Sequence, residues 1–291
     1  MILIDFSQFV LRNVFNNPFL FTKEREKEIN KTLRTMRLMV FSDICNCKHR
    51  YGEKFGEIVI SVDGINYWRK EIFPYYKWDR KKARSKEYSD LDWKIVFTVI
   101  DTIVSDLTKY FPYKVIHLDK AESDDVIAVL TKKLTKDGKD VLIVSSDKDF
   151  IQLQKYKGVY QVSPFKDKQF ITDKNPIRYL QEKVLKGDSG DGVPNVLSEG
   201  DVFAKGGRQA PLRKSKIEEM IEHSPLYSTD KELKERFIRN STLIDFDYIP
   251  PEIENDILSE YNKDKDYKRG KLFNFLMSNG CGSLVEKIER F

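Results

Sequence analysis

Three cysteines in 291 residues (Cys45, Cys47 and Cys281) give neither a disulfide framework nor a four-ligand zinc set. No stretch approaches the roughly 20 apolar residues of a membrane span. Met1 to Asp5 lacks the basic n-region and small-residue cleavage site of a secretory signal, so the expectation is a soluble intracellular protein. The three histidines, His49, His117 and His223, fall in no motif, which removes Ser-His-Asp and Cys-His nucleophile chemistry. A Walker loop and a G-x-G-x-x-G turn are both absent. Disorder is excluded despite 33% charged residues, because 19 Phe and 14 Tyr can fill a large core. The length suits about two domains.

What is present is concentrated charge. Between Arg69 and Lys86 stand eight Lys and Arg against Glu71 and Asp79, so this segment carries +6 and the rest of the chain −1. Trp68, Phe73, Tyr75, Tyr76 and Trp78 interleave it. Cations with ring faces suit phosphate neutralisation and base stacking on a single strand; a solvated charged helix with rings tucked beneath is the plain alternative.

Four short apolar runs read as strands that end at or beside a carboxylate: Met1 to Ile4 before Asp5, Ile58 to Val62 before Asp63, Lys114 to Leu118 before Asp119, and Val141 to Ser146 before Asp147. Continuous apolar strands indicate a mostly parallel sheet covered by helices on both faces, an α/β fold. Spacers over 23–48, 91–110 and 124–134 read as helices. Ligands in such sheets bind outside the carboxyl ends of the strands, so the strand-end acids should meet in one crevice. Beyond residue 174 the pattern turns helical, over 176–186, 214–222, 230–242, 252–262 and 283–291. This predicts an α/β domain over 1–174 and a helical domain over 175–291. The repeat of Leu3-Ile-Asp-Phe6 at Leu243-Ile-Asp-Phe246 reads as helix-end packing.

The acids come in tight sets: Asp5 and Asp63 alone, then Glu122, Asp124 and Asp125, then Asp147 and Asp149, then Asp188 and Asp191. Ser123 is placed to cap the helix after it. Asp119, Asp137 and Asp140 read as turn formers. Two carboxylates at about 4 Å repel by on the order of 1 kcal/mol in water and several times that near a protein surface. Nine in one crevice therefore require protons or cations. An all-oxygen donor set suits Mg²⁺, with Mn²⁺ able to substitute, and there are acids enough for two ions. Two ions about 4 Å apart stabilise the attacking and leaving oxygens in phosphodiester hydrolysis.

Leu3-Ile-Asp-Phe-Ser7, Val62-Asp-Gly64, Glu122-Ser-Asp-Asp125, Ser145-Ser-Asp-Lys-Asp-Phe150 and Lys186-Gly-Asp-Ser-Gly-Asp191 resemble, in order, the acidic motifs of the 5′-nuclease (flap endonuclease) superfamily, most closely its phage RNase H branch. The resemblance covers nearly the whole chain. It implies that Asp5, Asp63, Glu122 and Asp124, with Asp125 beside them, surround a first metal ion. It puts Asp147, Asp149, Asp188 and Asp191 around a second. The segment over about 66–89 is similar to the family's helical arch above the active site, with Tyr76, Lys77 and Arg80 at its aromatic and basic positions. Arg69, Lys70, Lys81, Lys82 and Arg84 would add phosphate contacts. The helical part is expected to hold duplex through a helix–turn–helix-like element. After Asp191 the chain departs from the family, since Val193 to Phe203 lacks the glycine pattern that grips duplex backbone and can hold potassium in most members.

The resemblance implies a Mg²⁺-dependent 5′-to-3′ exonuclease and flap endonuclease acting on RNA–DNA hybrids and on branched or 5′-ended duplex DNA. Catalysis would fall to Asp5, Asp63, Glu122, Asp124, Asp147, Lys77 and Arg80. It further implies a monomer in the cytoplasm of an infected bacterial host, working with replication proteins such as a single-strand binding protein and a sliding clamp. Three rivals stand beside it. A PIN-like ribonuclease would share the acidic sheet but lack the basic segment and the helical part. A non-catalytic DNA-binding replication scaffold would not need nine acids. A haloacid-type phosphatase would need Asp where Ser7 stands.

Overall fold

The computed structural model describes residues 1–80, 88–164 and 175–291. Five short parallel strands form one sheet in the order β3-β2-β1-β4-β5: β1 Ile2–Asp5, β2 Ile58–Val62, β3 Lys114–His117, β4 Val141–Val144 and β5 Val159–Val162. β1 is central, pairing Asp5 with Ser61 of β2 and Ile4 with Val144 of β4. The fifth strand is an addition to the four expected. Its Val-Tyr-Gln-Val is short and carries a polar residue, and it is a strand because the edge of β4 offers it a ladder.

Side chains alternate across the strands, and each face buries its own set. Ile2, Ile4, Ile58 and Ile60 pack beneath α1 (Phe6–Asn16), α2 (Ile29–Phe55) and α4 (Trp93–Tyr110). Leu3, Val59 and Ile143 pack against α5 (Ser123–Lys136) and α9 (Pro251–Asn262). Between β2 and α4 lies the short α3 (Trp68–Ile72). The arch expected over 66–89 is described as far as Arg80; Lys81, Lys82 and Arg84 lie outside the described residues, as does the division expected at 174.

The C-terminal part is helical, with α6 (Pro176–Lys186), α7 (Lys214–Glu222), α8 (Lys231–Ile244), α9 and α10 (Arg269–Ser278). α6 and α7 meet through Leu185, Val196, Ile217 and Met220, and the link between them runs over 187–213 in place of a tight turn. Leu272, Phe275, Leu276, Cys281 and Leu284 join the same core as Ile2 and Ile4, so the end of the chain seals the sheet's first face. Residues Gly282–Arg290 are 3₁₀ rather than α-helical, and the Phe291 ring meets Phe111 edge-on at 5.2 Å. The Leu243 to Phe246 repeat is helix-end packing: α8 stops at Ile244, and Leu243, Ile244 and Phe246 are buried. Among the described residues no helix is long and apolar enough to cross a membrane.

Candidate active site

The strand order sets the site. Asp5 ends β1, Asp63 follows β2 and Asp147 follows β4, while α5 brings Asp124 in from its first turn. Because these strands are parallel neighbours, the four acids line one cleft of about 390 Å³, which Lys77 and Arg80 also line. Asp5 is 4% exposed and accepts hydrogen bonds from Ser145 Oγ at 3.0 Å and Ser123 Oγ at 3.3 Å. Asp63 accepts from Ser7 Oγ at 2.7 Å and from the Ser123 backbone N–H at 2.9 Å, so the open N-terminal turn of α5 faces a carboxylate.

Burial, and then the neighbouring Asp63, push Asp5 up to about 7 despite its serine partners. Burial followed by Asp147 and Asp5 holds Asp124 well above the usual carboxylate range. Asp147 is raised as well, chiefly by burial, against the pull of Lys183. These are the electrostatics of anions crowded beyond what their surroundings neutralise. The all-oxygen donor set and its excess charge fit a hard divalent cation.

Other acids are occupied. Glu122, not Ser123, is the N-cap of α5: it forms a capping box with Asp125, and Ser123 is the first helical residue. Arg69 Nη1 at 2.8 Å, Tyr76 OH at 3.0 Å and Lys77 Nζ all donate to Glu122. Burial alone would raise this carboxyl, but Lys77 and Arg69 outweigh it and hold it low. Asp125 is fully buried and accepts from Trp68 Nε1, Arg69 Nη1 and the Glu122 N–H, each at 3.0 Å. The structure thus turns Asp125, expected beside the first metal, into a brace beneath the site. Asp191 accepts from Arg80 Nη2 at 2.9 Å and Tyr76 OH at 3.1 Å, and lies 3.5 Å from Lys77 Nζ. Lys183 Nζ bonds Asp149 and lies 3.0 Å from Asp188 Oδ2. Among the described residues no three Asp, Glu, His or Cys side chains stand grouped so as to hold one metal ion. Asp119 and Asp137 do plain work, accepting from Asn66 and Lys133 at 3.0 Å each.

The basic segment divides. Arg69, expected on phosphate, is 2% exposed; besides Glu122 and Asp125 it donates to Leu243 O at 2.9 Å, tying α3 to the end of α8. Tyr76 is 4% exposed, so it offers its hydroxyl to the acids and no open ring face to a base. Lys70 is exposed, donating to Ile65 O and lying over the Tyr67 ring at 4.3 Å. Lys77 and Arg80 line the cleft.

Sequence reading missed the serine hydroxyls that hold Asp5 and Asp63, the Lys183 cation, and a turn-to-turn contact. Lys77 has φ +54, its N–H donates to Asp191 O at 2.8 Å, and Gly192 approaches closely from the other side. Gly192 has φ +75, and a Cβ there would stand 2.6 Å from Tyr75 O. Left-handed backbone penalises any side chain, and this clash adds to it. Gly192→Ala should therefore lower stability by about 1–3 kcal/mol and shift Lys77 off the cleft. Unfolding midpoints and cleavage rates measure the two effects; an unchanged midpoint would contradict the close approach.

Residues 1–184 match the family described as "5′-3′ exonuclease, N-terminal resolvase-like domain", and residues 175–291 match "T4 RNase H, C terminal". The chain is 36% identical to ribonuclease H of Enterobacteria phage T4 over 99% of its own length and 95% of that protein. It is 30% identical to flap endonuclease Xni of Shewanella sp. strain MR-4, over 49% of this chain and 53% of that one. The T5 D15 protein, crystallised with metal ions, shares the fold at a TM-score of 0.57 and 17% identity, covering 99% of this chain and 98% of that one. The order of its acidic motifs, the parallel sheet that gathers them and the full-length match agree: the chain belongs to the 5′-to-3′ exonuclease family of nucleases, phosphodiester hydrolases that include the phage RNase H branch.

Proposed function

We propose that this protein is a divalent-metal-dependent 5′-to-3′ exonuclease and flap endonuclease that removes RNA primers from RNA–DNA hybrids and degrades DNA duplexes from the 5′ end during replication. One observation carries the reading: Asp5, Asp63, Asp124 and Asp147 line a cleft that Lys77 and Arg80 line with them. An anionic phosphodiester has no affinity for bare carboxylates, so this pairing makes sense only where cations bridge acid and phosphate. We assign Asp5, Asp63 and Asp124 to a first Mg²⁺, and Asp147, Asp149, Asp188 and Asp191 to a second, with Mn²⁺ able to substitute. When bound, such ions supply charge neutralisation at the phosphate and activation of the attacking water.

The chain's own residues set the geometry. Ser7, Ser123 and Ser145 fix the rotamers of Asp63 and Asp5 from neighbouring strand ends. Arg80, whose side chain is 54% exposed, stands at the rim to meet phosphate first, and Lys77 lies deeper, where charge develops in the transition state. The α/β part over 1–174 would hold the chemistry and the helical part over 175–291 the duplex. We place the protein, as a monomer, in the cytoplasm of an infected bacterial host, with a single-strand binding protein and a sliding clamp as replication partners.

A 5′-labelled RNA–DNA hybrid and the matching DNA duplex, each with Mg²⁺ and with chelator, test the reading. Short labelled products should appear only with Mg²⁺, and from the hybrid as well as the duplex. Binding without cleavage in Mg²⁺ would make the protein a replication scaffold instead.

A further inference from the structure

The two halves of the carboxylate cleft are neutralised differently. The hydrogen bonds described for Asp5 and Asp63 come from serine hydroxyls and a backbone N–H. In the other half, an ammonium of the chain itself stands between the acids. Lys183 lies on the last turn of α6, its side chain 15% exposed, with Nζ bonded to Asp149 and 3.0 Å from Asp188 Oδ2. Asp149 reaches it from the 3₁₀ helix Lys148–Lys155 that follows β4, and Asp188 from the turn just beyond α6.

The fold fixes this contact. Gly187 ends α6 with φ +69, and a Cβ there would stand 2.4 Å from Val193 O. The backbone therefore doubles back without a side chain in the way, and the Asp188 N–H and carbonyl pair with Val193 at 2.8 Å. That return carries Asp188 over the last turn of α6, where Lys183 points. Asp188 is further pinned by accepting from the Gly190 N–H at 2.9 Å. Both acids are thus preorganised around a monovalent cation tethered to the chain.

We propose that Lys183 is a positioning residue that sets how tightly the second carboxylate group takes a divalent ion. The bonds described for Asp5 and Asp63 involve no ammonium, so an ion entering there beside Asp124 need not displace one. One entering at Asp149 and Asp188 must first displace the Lys183 ammonium. The consequence is ordered loading, with one ion held strongly and a second held weakly until the ammonium moves aside. This inference rests on the metal-centre reading of the proposed function.

Mn²⁺ titration of the full, metal-free chain, with free Mn²⁺ counted by electron paramagnetic resonance, reads each class of site without any cleavage. The wild-type chain should show two classes, the second at least about tenfold weaker. Lys183→Met, which keeps the alkyl stem and removes the charge, should tighten the second class about tenfold and leave the first within about twofold. Lys183→Arg should preserve the wild-type gap. If the Met variant does not fold, as judged by its circular dichroism and unfolding midpoint, Lys183→Gln carries the same expectation. Two classes whose separation survives loss of the Lys183 charge overturn this inference alone. A wild-type chain that binds no Mn²⁺ overturns the metal centre and this inference with it.

Discussion

Asp147→Asn should abolish cleavage and leave the protein folded. Asp147 is raised chiefly by burial, and it helps to raise Asp5 and Asp124 in turn, so it sits at the centre of the crowded anions. Removing its charge takes away a ligand and part of the field that holds a divalent cation. That field is worth several kcal/mol of transition-state stabilisation, so the rate should fall by roughly 10³-fold or more. Folding should be spared, because the bond Asp147 makes to the Asp149 N–H at 2.8 Å needs only a side-chain carbonyl, and Asn caps as well as Asp. Relief of repulsion should even raise the unfolding midpoint of the metal-free protein slightly. Cleavage at the wild-type rate would sink the assignment, and an unfolded variant would mean that Asp147 is a structural cap. Labelled-substrate turnover together with thermal unfolding separates these outcomes.

The largest effect on stability is expected at Arg69, which sequence alone placed on the phosphate-binding surface. Its guanidinium is buried between Glu122 and Asp125 and also reaches Leu243 O, so it links α3, the start of α5 and the end of α8. Removing one partner of a buried ion pair leaves the others charged and desolvated, at a cost of about 3–5 kcal/mol. Arg69→Met should therefore lower the unfolding midpoint by about 6–20 °C, given roughly 2–4 °C per kcal/mol for a chain of this size. Burial of the whole set need not itself stabilise the fold, since such groups cost much to desolvate. The test is consequently a double-mutant cycle. Adding Glu122→Gln to Arg69→Met should cost less than the two single changes summed, because one of the two carboxylates left without Arg69 is then neutral. A midpoint within 1–2 °C of wild type for Arg69→Met, or simple additivity in the cycle, would show that solvent reaches these groups and that the brace does not exist.

Much of the architecture followed from local pattern. Short apolar runs ending in Asp specified strands, and their near-continuous hydrophobicity specified a parallel sheet with both faces covered. Parallel strands place their carboxyl ends on one edge, so Asp5, Asp63 and Asp147 had to meet once the strands were identified. Helices 176–186 and 214–222 were legible to the residue, since Asn175 with Pro176 marks a start and Gly187 a stop. α1 was not: it begins directly after Asp5 with no side-chain capping bond, and its apolar face is read only against the strand it covers. α10 was equally opaque, because Leu272, Phe275 and Leu276 matter only as the lid of a core formed some two hundred residues earlier.

The sequence by itself determined the class of chemistry: many carboxylates, no nucleophile motif, one concentrated basic segment, and motifs in the order of a nuclease family. Only the tertiary structure decided which charges remain available to a ligand. Asp125 and Glu122 look like Asp124 in a string of letters, but capping geometry turns the first into a brace, ties the second to Lys77 and Arg69, and leaves the third facing the cleft. Arg69 and Arg80 look alike for the same reason, and differ because one is buried among Glu122, Asp125 and Leu243 O and the other is half exposed beside Asp191. Charge is a property of a residue, whereas its availability depends on which distant groups the fold brings within 3 Å. That pairing, here between residues as far apart as Arg69 and Leu243, is not written in any local window of the chain.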